Sequence, residues 1–115
     1  DLLDLLEACY DERLGDQQMQ SDNRSACTVM VVSKGYPETY QKGKDISGHD
    51  DVEESVIFHA GTKLENASLK TSGGRVMAFT SFGSDFKEAL AKSYGSINKV
   101  CYEGIHYRRD IGFDL

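Results

Sequence analysis

Ser72-Gly73-Gly74-Arg75-Val76-Met77-Ala78-Phe79-Thr80-Ser81-Phe82 is the stretch on which the fold turns. From Arg75 onward it is rich in the β-branched and aromatic residues that suit a pleated, half-buried surface, and it reads as the clearest strand of the chain. The glycine pair in front of it tolerates the positive φ that a tight hairpin needs, so residues 72–74 read as a turn delivering the chain into that strand. Upstream, residues 64–71 alternate weakly around Asn66 and read as a hairpin. Val56-Ile57-Phe58-His59-Ala60 is a second apolar strand, stopped by Gly61. Earlier still, Ala26-Cys27-Thr28-Val29-Met30-Val31-Val32-Ser33 reads as a buried strand, broken by Gly35-Tyr36-Pro37. Residues 40–48 are polar, a loop with a short strand near 45–46.

Downstream the period changes from two to 3.6. Phe86, Ala89, Leu90, Ser93, Tyr94 and Ile97 fall on one stripe of a helix over residues 84–97, with Ser84 as its cap and Glu88 loosely completing a capping box. Residues 100–102 and 105–107 read as two short strands. At the other end, Leu2, Leu3, Leu5, Leu6, Cys9, Tyr10 and Leu14 lie on a helical period over residues 1–14, capped by Asp1 and stopped by Gly15. Residues 16–24 are polar and linker-like. These elements predict an α+β fold: one entering helix, then a mostly antiparallel β domain with one crossing helix.

The chain of 115 residues suits one domain, or one domain with a fragment of a neighbour. Its 19 acidic and 13 basic residues leave a net charge of −6, which disfavours general nucleic-acid binding because phosphate neutralisation needs a basic face. No apolar run approaches the roughly 20 residues that span a bilayer. Acids in residues 1–7 replace the basic start of an export signal. The Asp-Leu-Leu-Asp opening reads as a helix entered partway through a longer polypeptide. Three widely spaced cysteines without a C-x-x-C point to free thiols in a reducing compartment. His49, His59 and His106 lack ligand-like spacing, so no metal site is expected.

Taken singly, the candidate groups stay open. Gly73-Gly74 followed by Arg75 offers backbone N–H groups and a guanidinium to an anion, though a hairpin turn with a surface arginine is the commoner outcome. Arg108-Arg109 divides evenly between a bidentate phosphate holder and a solvated ion pair with Asp110; on a regular strand the two would point to opposite faces. His59, at a strand end, is either a ligand contact or a half-buried histidine satisfied by backbone. Lys63 reads as solvated, the pair Tyr36 and Tyr40 as packing of the Gly-Tyr-Pro corner, and Asp50-Asp51 and Glu53-Glu54 as loop charge.

Four motifs in order carry a resemblance. Residues 26–37, continued by Tyr40-Gln41-Lys42-Gly43 and Ile46-Ser47-Gly48, are similar to the opening of the C domain of phosphoribosylamine–glycine ligases. Phe58-His59-Ala60-Gly61-Thr62, Thr71-Ser72-Gly73-Gly74-Arg75-Val76 and Tyr107-Arg108-Arg109-Asp110-Ile111-Gly112 resemble that family's later signatures, and residues 1–14 resemble the helix leading out of its ATP-binding domain.

The resemblance implies a barrel-like, hybrid-motif C domain over residues 25–115, preceded in 1–24 by the end of an ATP-grasp domain and a linker. It implies a cytoplasmic ligase of purine synthesis that activates glycine as an acyl phosphate and passes it to phosphoribosylamine. ATP and Mg²⁺ (or Mn²⁺) would be held upstream, outside these residues, so the chain by itself is expected to be inactive. It implies a substrate-phosphate role for Arg108 and Arg109, with Arg108 the more familiar of the two. His59, Thr62 and Arg75 would form the pocket wall, no residue here would be catalytic, and neither nucleic acid nor membrane would be a partner.

Two positions depart from the family pattern: Glu38 stands where many relatives have Gly, and the ending Phe113-Asp114-Leu115 lacks the commoner Arg. An exposed apolar face on residues 1–14 is expected if a partner domain is absent. A non-catalytic, barrel-like binding module is the competing interpretation. The Met-Lys-Met tip of a biotinyl carrier is absent from the sequence.

Overall fold

The two longest apolar runs become the two central strands of one sheet. In the computed structural model, which describes residues 1–114, the chain folds as α1 (Leu2–Tyr10), β1 (Ser25–Ser33), β2 (Val56–His59), β3 (Thr62–Glu65), β4 (Ser68–Thr71), β5 (Arg75–Gly83), α2 (Phe86–Ile97) and β6 (Ile105–His106). Single 3₁₀ turns add Leu14–Asp16 and His49–Asp51. The main sheet has the order β2-β5-β1-β6 with every pair antiparallel. β3 and β4 form a separate hairpin. The α+β class and the single crossing helix are those the sequence predicts.

Period-two patterning sets the sheet's two faces. Along β1 the residues Cys27, Val29, Val31 and Ser33 are buried and their neighbours are not, the alternation expected of a sheet covered on one side. Opposite them in register stand Ser81, Phe79 and Met77 of β5, and Ile57 of β2 faces Phe79. Helix α2 closes this face with Ala89, Ser93, Ser96 and Ile97 buried. Phe79 and Met77 are fully buried, each burial contributing about 1.5–3 kcal/mol. Hydroxyls hold the helix to the sheet. The Ser93 hydroxyl donates to the Cys27 carbonyl (3.0 Å) and lies 3.1 Å from the Ser81 hydroxyl, and Ser55 links Ser81 and Ser96 at 2.6 Å each.

Several expectations need correction. The apolar run at 26–33 is fully buried on one face and half-buried at Met30 and Val32 on the other. Residues 45–46 and 100–102 form isolated bridges, Asp45 to Lys70 and Ser47 to Cys101, and not strands. Helix α2 is capped by Asp85, whose carboxylate accepts from the Glu88 N–H (2.8 Å), while Glu88 reaches back to the Ser84 N–H (2.7 Å). The cap thus lies one residue later than predicted, and Glu88 reaches past Asp85 to the residue before it, a variant of the capping box. Helix α1 ends at Tyr10, five residues before Gly15, where Asp11 caps it and Glu12 takes φ 57.

The largest difference lies at residues 72–74. They do not turn a hairpin: β4 pairs with β3, whereas β5 pairs with β1 and β2. Instead they carry the chain from the small sheet to the large one, and neither Gly73 nor Gly74 is among the positive-φ residues. The hairpin expected at 64–71 is present and turns at Asn66 (φ 50) and Ala67 (φ 61), as a two-residue turn between antiparallel strands requires.

Candidate functional site

Three of the sequence motifs meet at one corner of the sheet. Gly61 follows β2 and packs directly on the crossing at 72–74, because neither Gly61 nor Gly73 has a Cβ to hold the backbones apart. Its carbonyl accepts from the Ser72 N–H (2.7 Å) and the Gly73 N–H (3.2 Å), and its own N–H donates to Val76 (3.1 Å). A Cβ on Gly61 would lie 2.7 Å from the Gly73 Cα, and one on Gly74 would strike the Tyr36 ring. From β1, Ser33 joins the corner by donating its N–H to the Gly74 carbonyl (2.8 Å) and its hydroxyl to the Gly73 carbonyl (3.1 Å). Tyr36 rests edge-on to Tyr40 with ring centroids 6.0 Å apart. The glycines thus serve close approach. Since the Ser72 and Gly73 amides already donate to Gly61, they form no anion nest.

Arg75 opens β5 at the edge of this corner. It is exposed, it stands opposite Val32 in register, and Val32 in turn faces His106. Separately, Lys34, Tyr40, Lys44 and Glu103 line a cavity of about 350 Å³, in which the Lys44 ammonium donates to the Glu103 carboxylate at 2.7 Å. Sequence reading offered no sign of that pair, because the partners lie far apart along the chain.

His59 and Thr62 flank the turn between β2 and β3, and the His59 Nδ1 lies 3.1 Å from the Thr62 hydroxyl. Together with His49, Asp50 and Lys63 they line a depression of about 440 Å³. His49 is a contributor that sequence reading did not single out. Its Nε2 sits 3.6 Å from the Asp50 carboxylate, and its Nδ1 is buried without a hydrogen-bond partner among the described residues. Lys63 pairs with Glu65 at 3.0 Å, and that hydrogen bond holds the Glu65 carboxyl below the usual glutamate range. Neither Arg75, Arg108 nor Arg109 lines this depression.

The arginine pair lies elsewhere, beyond the end of β6 and against the last turn of α2. The two side chains do different things. Arg108 grips Asp110 with two parallel bonds, Nε to Oδ1 at 2.9 Å and Nη2 to Oδ2 at 3.0 Å. That contact raises the guanidinium's pKa and lowers the carboxyl's, with hydrogen bonding the leading cause in both. Its backbone carbonyl accepts from the Tyr94 hydroxyl at 2.9 Å. Arg109 has no carboxylate partner among the described residues; its guanidinium lies 5.4 Å from the centre of the Tyr107 ring, a cation–π contact. Tyr107 packs against Tyr94 at 6.0 Å and donates to the Asn98 side chain at 3.3 Å. These four residues, Tyr94, Asn98, Tyr107 and Arg109, line a cleft of about 210 Å³. Gly112 follows at φ 72, against the Phe86 ring. Leu115, the last residue of the departing chain end, lies outside the described residues.

Residues 26–114 match the family described as phosphoribosylglycinamide synthetase, C domain. The chain belongs to that family. It is 45% identical over 112 residues to the phosphoribosylamine–glycine ligase of Clostridium acetobutylicum, covering 97% of this chain and 27% of the relative. To the bifunctional purine biosynthetic protein of Dictyostelium discoideum it is 37% identical over 116 residues, 97% of this chain and 14% of that protein. The crystal structure of the phosphoribosylamine–glycine ligase of Thermotoga maritima superposes with a TM-score of 0.74 at 34% identity, covering 91% of this chain and 27% of that one. The chain therefore spans about a quarter of the ligases it matches. In those relatives the C domain is part of one longer polypeptide.

The four motifs by which the sequence resembles phosphoribosylamine–glycine ligases all fall inside the matched C domain. Three of them build the glycine corner. The fourth, with Arg108 and Arg109, packs on α2. No helix among the described residues is long and apolar enough to cross a membrane.

Proposed function

We propose that this C domain completes a cytoplasmic phosphoribosylamine–glycine ligase, in which residues 25–115 form the C domain and residues 1–24 the end of an ATP-grasp domain and its linker. The parent would join glycine to 5-phosphoribosylamine, releasing ADP and phosphate, within purine synthesis. The observation that carries this proposal is the family match over residues 26–114 together with 45% identity to a ligase across nearly the whole chain.

We place the ATP and Mg²⁺ of the parent outside these residues. No group of three His, Cys, Asp or Glu side chains is placed to hold a metal, and the amides at Ser72 and Gly73 are already committed to Gly61. We assign both to the remainder of the polypeptide, where ATP would supply the phosphoryl group that activates the glycine carboxylate.

The chain's own part is to hold and enclose the acceptor. Arg108 and Arg109 are the groups for its 5-phosphate. Arg109 has its guanidinium unclaimed by a carboxylate, whereas Arg108 must share or release Asp110 to take part. Arg75, His59 and Thr62 would line the pocket wall as the domain closes against its neighbour.

The test is ADP release by the full-length polypeptide given glycine, phosphoribosylamine and ATP, with the 115-residue chain beside it. Glycine-dependent release by the parent alone is expected. An intact parent without it would leave a non-catalytic binding module as the better description. Charge-assisted phosphate contacts contribute about 1.5–3 kcal/mol, so Arg109→Ala in an active parent should lower kcat/KM for phosphoribosylamine about 10- to 100-fold and leave the KM for ATP nearly unchanged. Arg108→Ala should do the same if Asp110 yields its partner on binding. Equal losses for both substrates would sink the phosphate assignment.

A further inference from the structure

Strand β6 ends at His106, so no strand ladder fixes the residues after it. The segment 107–110, which carries both arginines of the fourth motif, is held instead by the end of α2. Tyr94 and Asn98 stand four residues apart there and so share one face of the helix end. The Tyr94 hydroxyl donates to the Arg108 carbonyl at 2.9 Å, and the Asn98 side chain accepts from the Tyr107 hydroxyl at 3.3 Å. The Tyr94 ring also lies against the Tyr107 ring, with centroids 6.0 Å apart. Tyr107 is thus a half-buried side chain gripped twice by α2, through its hydroxyl and through its ring. Arg109 is exposed, and its guanidinium lies over that same ring at 5.4 Å.

We propose that Tyr107 is a positioning residue for the acceptor's phosphate, presetting the Arg109 guanidinium over a ring that α2 holds still. The proposal rests on the phosphate reading of Arg109 given above. Its physical basis is the way the two arginines use their donors. Asp110 takes the Nε and one Nη of Arg108, so those donors are already bonded. An aromatic ring engages a guanidinium through its charge and takes none of its N–H donors. Arg109 therefore keeps its planar fork open for a phosphate while part of its side-chain freedom is already given up. An arginine free in solvent must lose that freedom when it binds, and presetting it removes part of this loss. Tyr107 contributes nothing to the substrate directly. It acts through Arg109, and Asn98 and Tyr94 act through Tyr107.

The experiment measures KM for phosphoribosylamine and for ATP on the full-length polypeptide carrying Tyr107→Leu, Tyr107→Phe, Arg109→Ala, or Tyr107→Leu with Arg109→Ala. KM is the readout because it does not depend on the fraction of a preparation that is folded. Tyr107→Leu removes the ring and should raise KM for phosphoribosylamine about two- to fivefold, the size of an exposed cation–π contact, with KM for ATP unchanged. Tyr107→Phe restores a ring and should recover most of that loss. Once Arg109 is alanine, Tyr107→Leu should add nothing further. Losses that add, or equal rises in both KM values, overturn the proposal, because Tyr107 then acts on the fold and not through Arg109. A Tyr107→Leu protein with the native KM overturns it too, as does a phenylalanine variant no better than the leucine one. Arg109→Ala separates the two readings. If it raises KM for phosphoribosylamine while Tyr107→Leu does not, the phosphate reading stands and the positioning role falls; if it changes nothing, both fall.

Discussion

Replacing Gly61 with alanine tests whether the corner is held by close backbone approach. The new Cβ would sit 2.7 Å from the Gly73 Cα and 2.9 Å from the Gly73 nitrogen, and it would also collide with the Arg75 carbonyl. Carbon atoms prefer about 3.5–4.0 Å, so the two backbones must part by about 1 Å. The bond from the Ser72 N–H would stretch from 2.7 Å and that from the Gly73 N–H from 3.2 Å, both beyond useful length. At about 1 kcal/mol net for each, with overpacking strain of about 1–3 kcal/mol where the backbones only partly separate, the cost comes to about 3–5 kcal/mol. For a domain of this size that is a fall in Tm of about 12–20 °C. Thermal unfolding followed by circular dichroism reads it directly. Gly95→Ala is the control, because Gly95 lies within α2 and a methyl added there would have no neighbour within 4 Å, and a helix interior gains about 0.5–1 kcal/mol from that change. A Gly61→Ala protein that melts within about 3 °C of the unsubstituted chain would refute the close-approach account of this corner.

Two further changes probe the core and the helix start. Phe79→Ala empties the largest fully buried side chain and should cost about 3–5 kcal/mol, a large share of the 5–15 kcal/mol typical of a domain; the urea midpoint at unchanged slope measures it. Glu88 is held by Lys92 and then by the Ser84 hydroxyl and N–H, which bring its pKa from 4.5 down to about 2. A depressed carboxyl contributes stability that is fully present above its unfolded value and is lost as pH falls through the folded one. The Glu88 contribution should therefore fade between about pH 4.5 and about pH 2. Glu88→Gln should flatten acid unfolding in that window and change little at pH 7 beyond a constant offset, whereas an unchanged acid profile would count against the cap.

Much of the fold was legible because its elements are local. Strand β5 announces itself by its run of β-branched and aromatic residues, and α2 by its stripe of Phe86, Ala89, Ser93 and Ile97. What could not be read was which strand follows which sheet. The residues of β4 look as ready to pair with β5 as with β3, and a glycine pair before a strand is the usual mark of a hairpin. The deciding contact is non-local: Gly61 lies a dozen residues upstream, and its carbonyl takes the Ser72 and Gly73 amides. The same holds for the second face of β1, where Met30 and Val32 are half-buried, since they are as apolar as Val29 and Val31 and nothing in their order says which set α2 covers.

The arginine pair illustrates the point for the candidate site. Adjacent residues of one type are equivalent to a sequence reading, and the motif alone made Arg108 the more familiar choice. In the fold they are unlike, because Asp110 lies two residues beyond Arg108, within reach of its guanidinium, while the Arg109 side chain turns onto Tyr107. A charge already held bidentately gains less from a phosphate than one that is not, since the new contact must first replace a partner of comparable strength. The Asp110 contact thus ranks the two arginines in a direction that can be measured. Asp110→Asn should bring Arg108 closer to Arg109 in its pull on the substrate phosphate, so Arg108→Ala should cost more kcat/KM for phosphoribosylamine in that background than in the native one. If the cost is the same in both, Asp110 does not restrain Arg108 and the ranking of the pair fails.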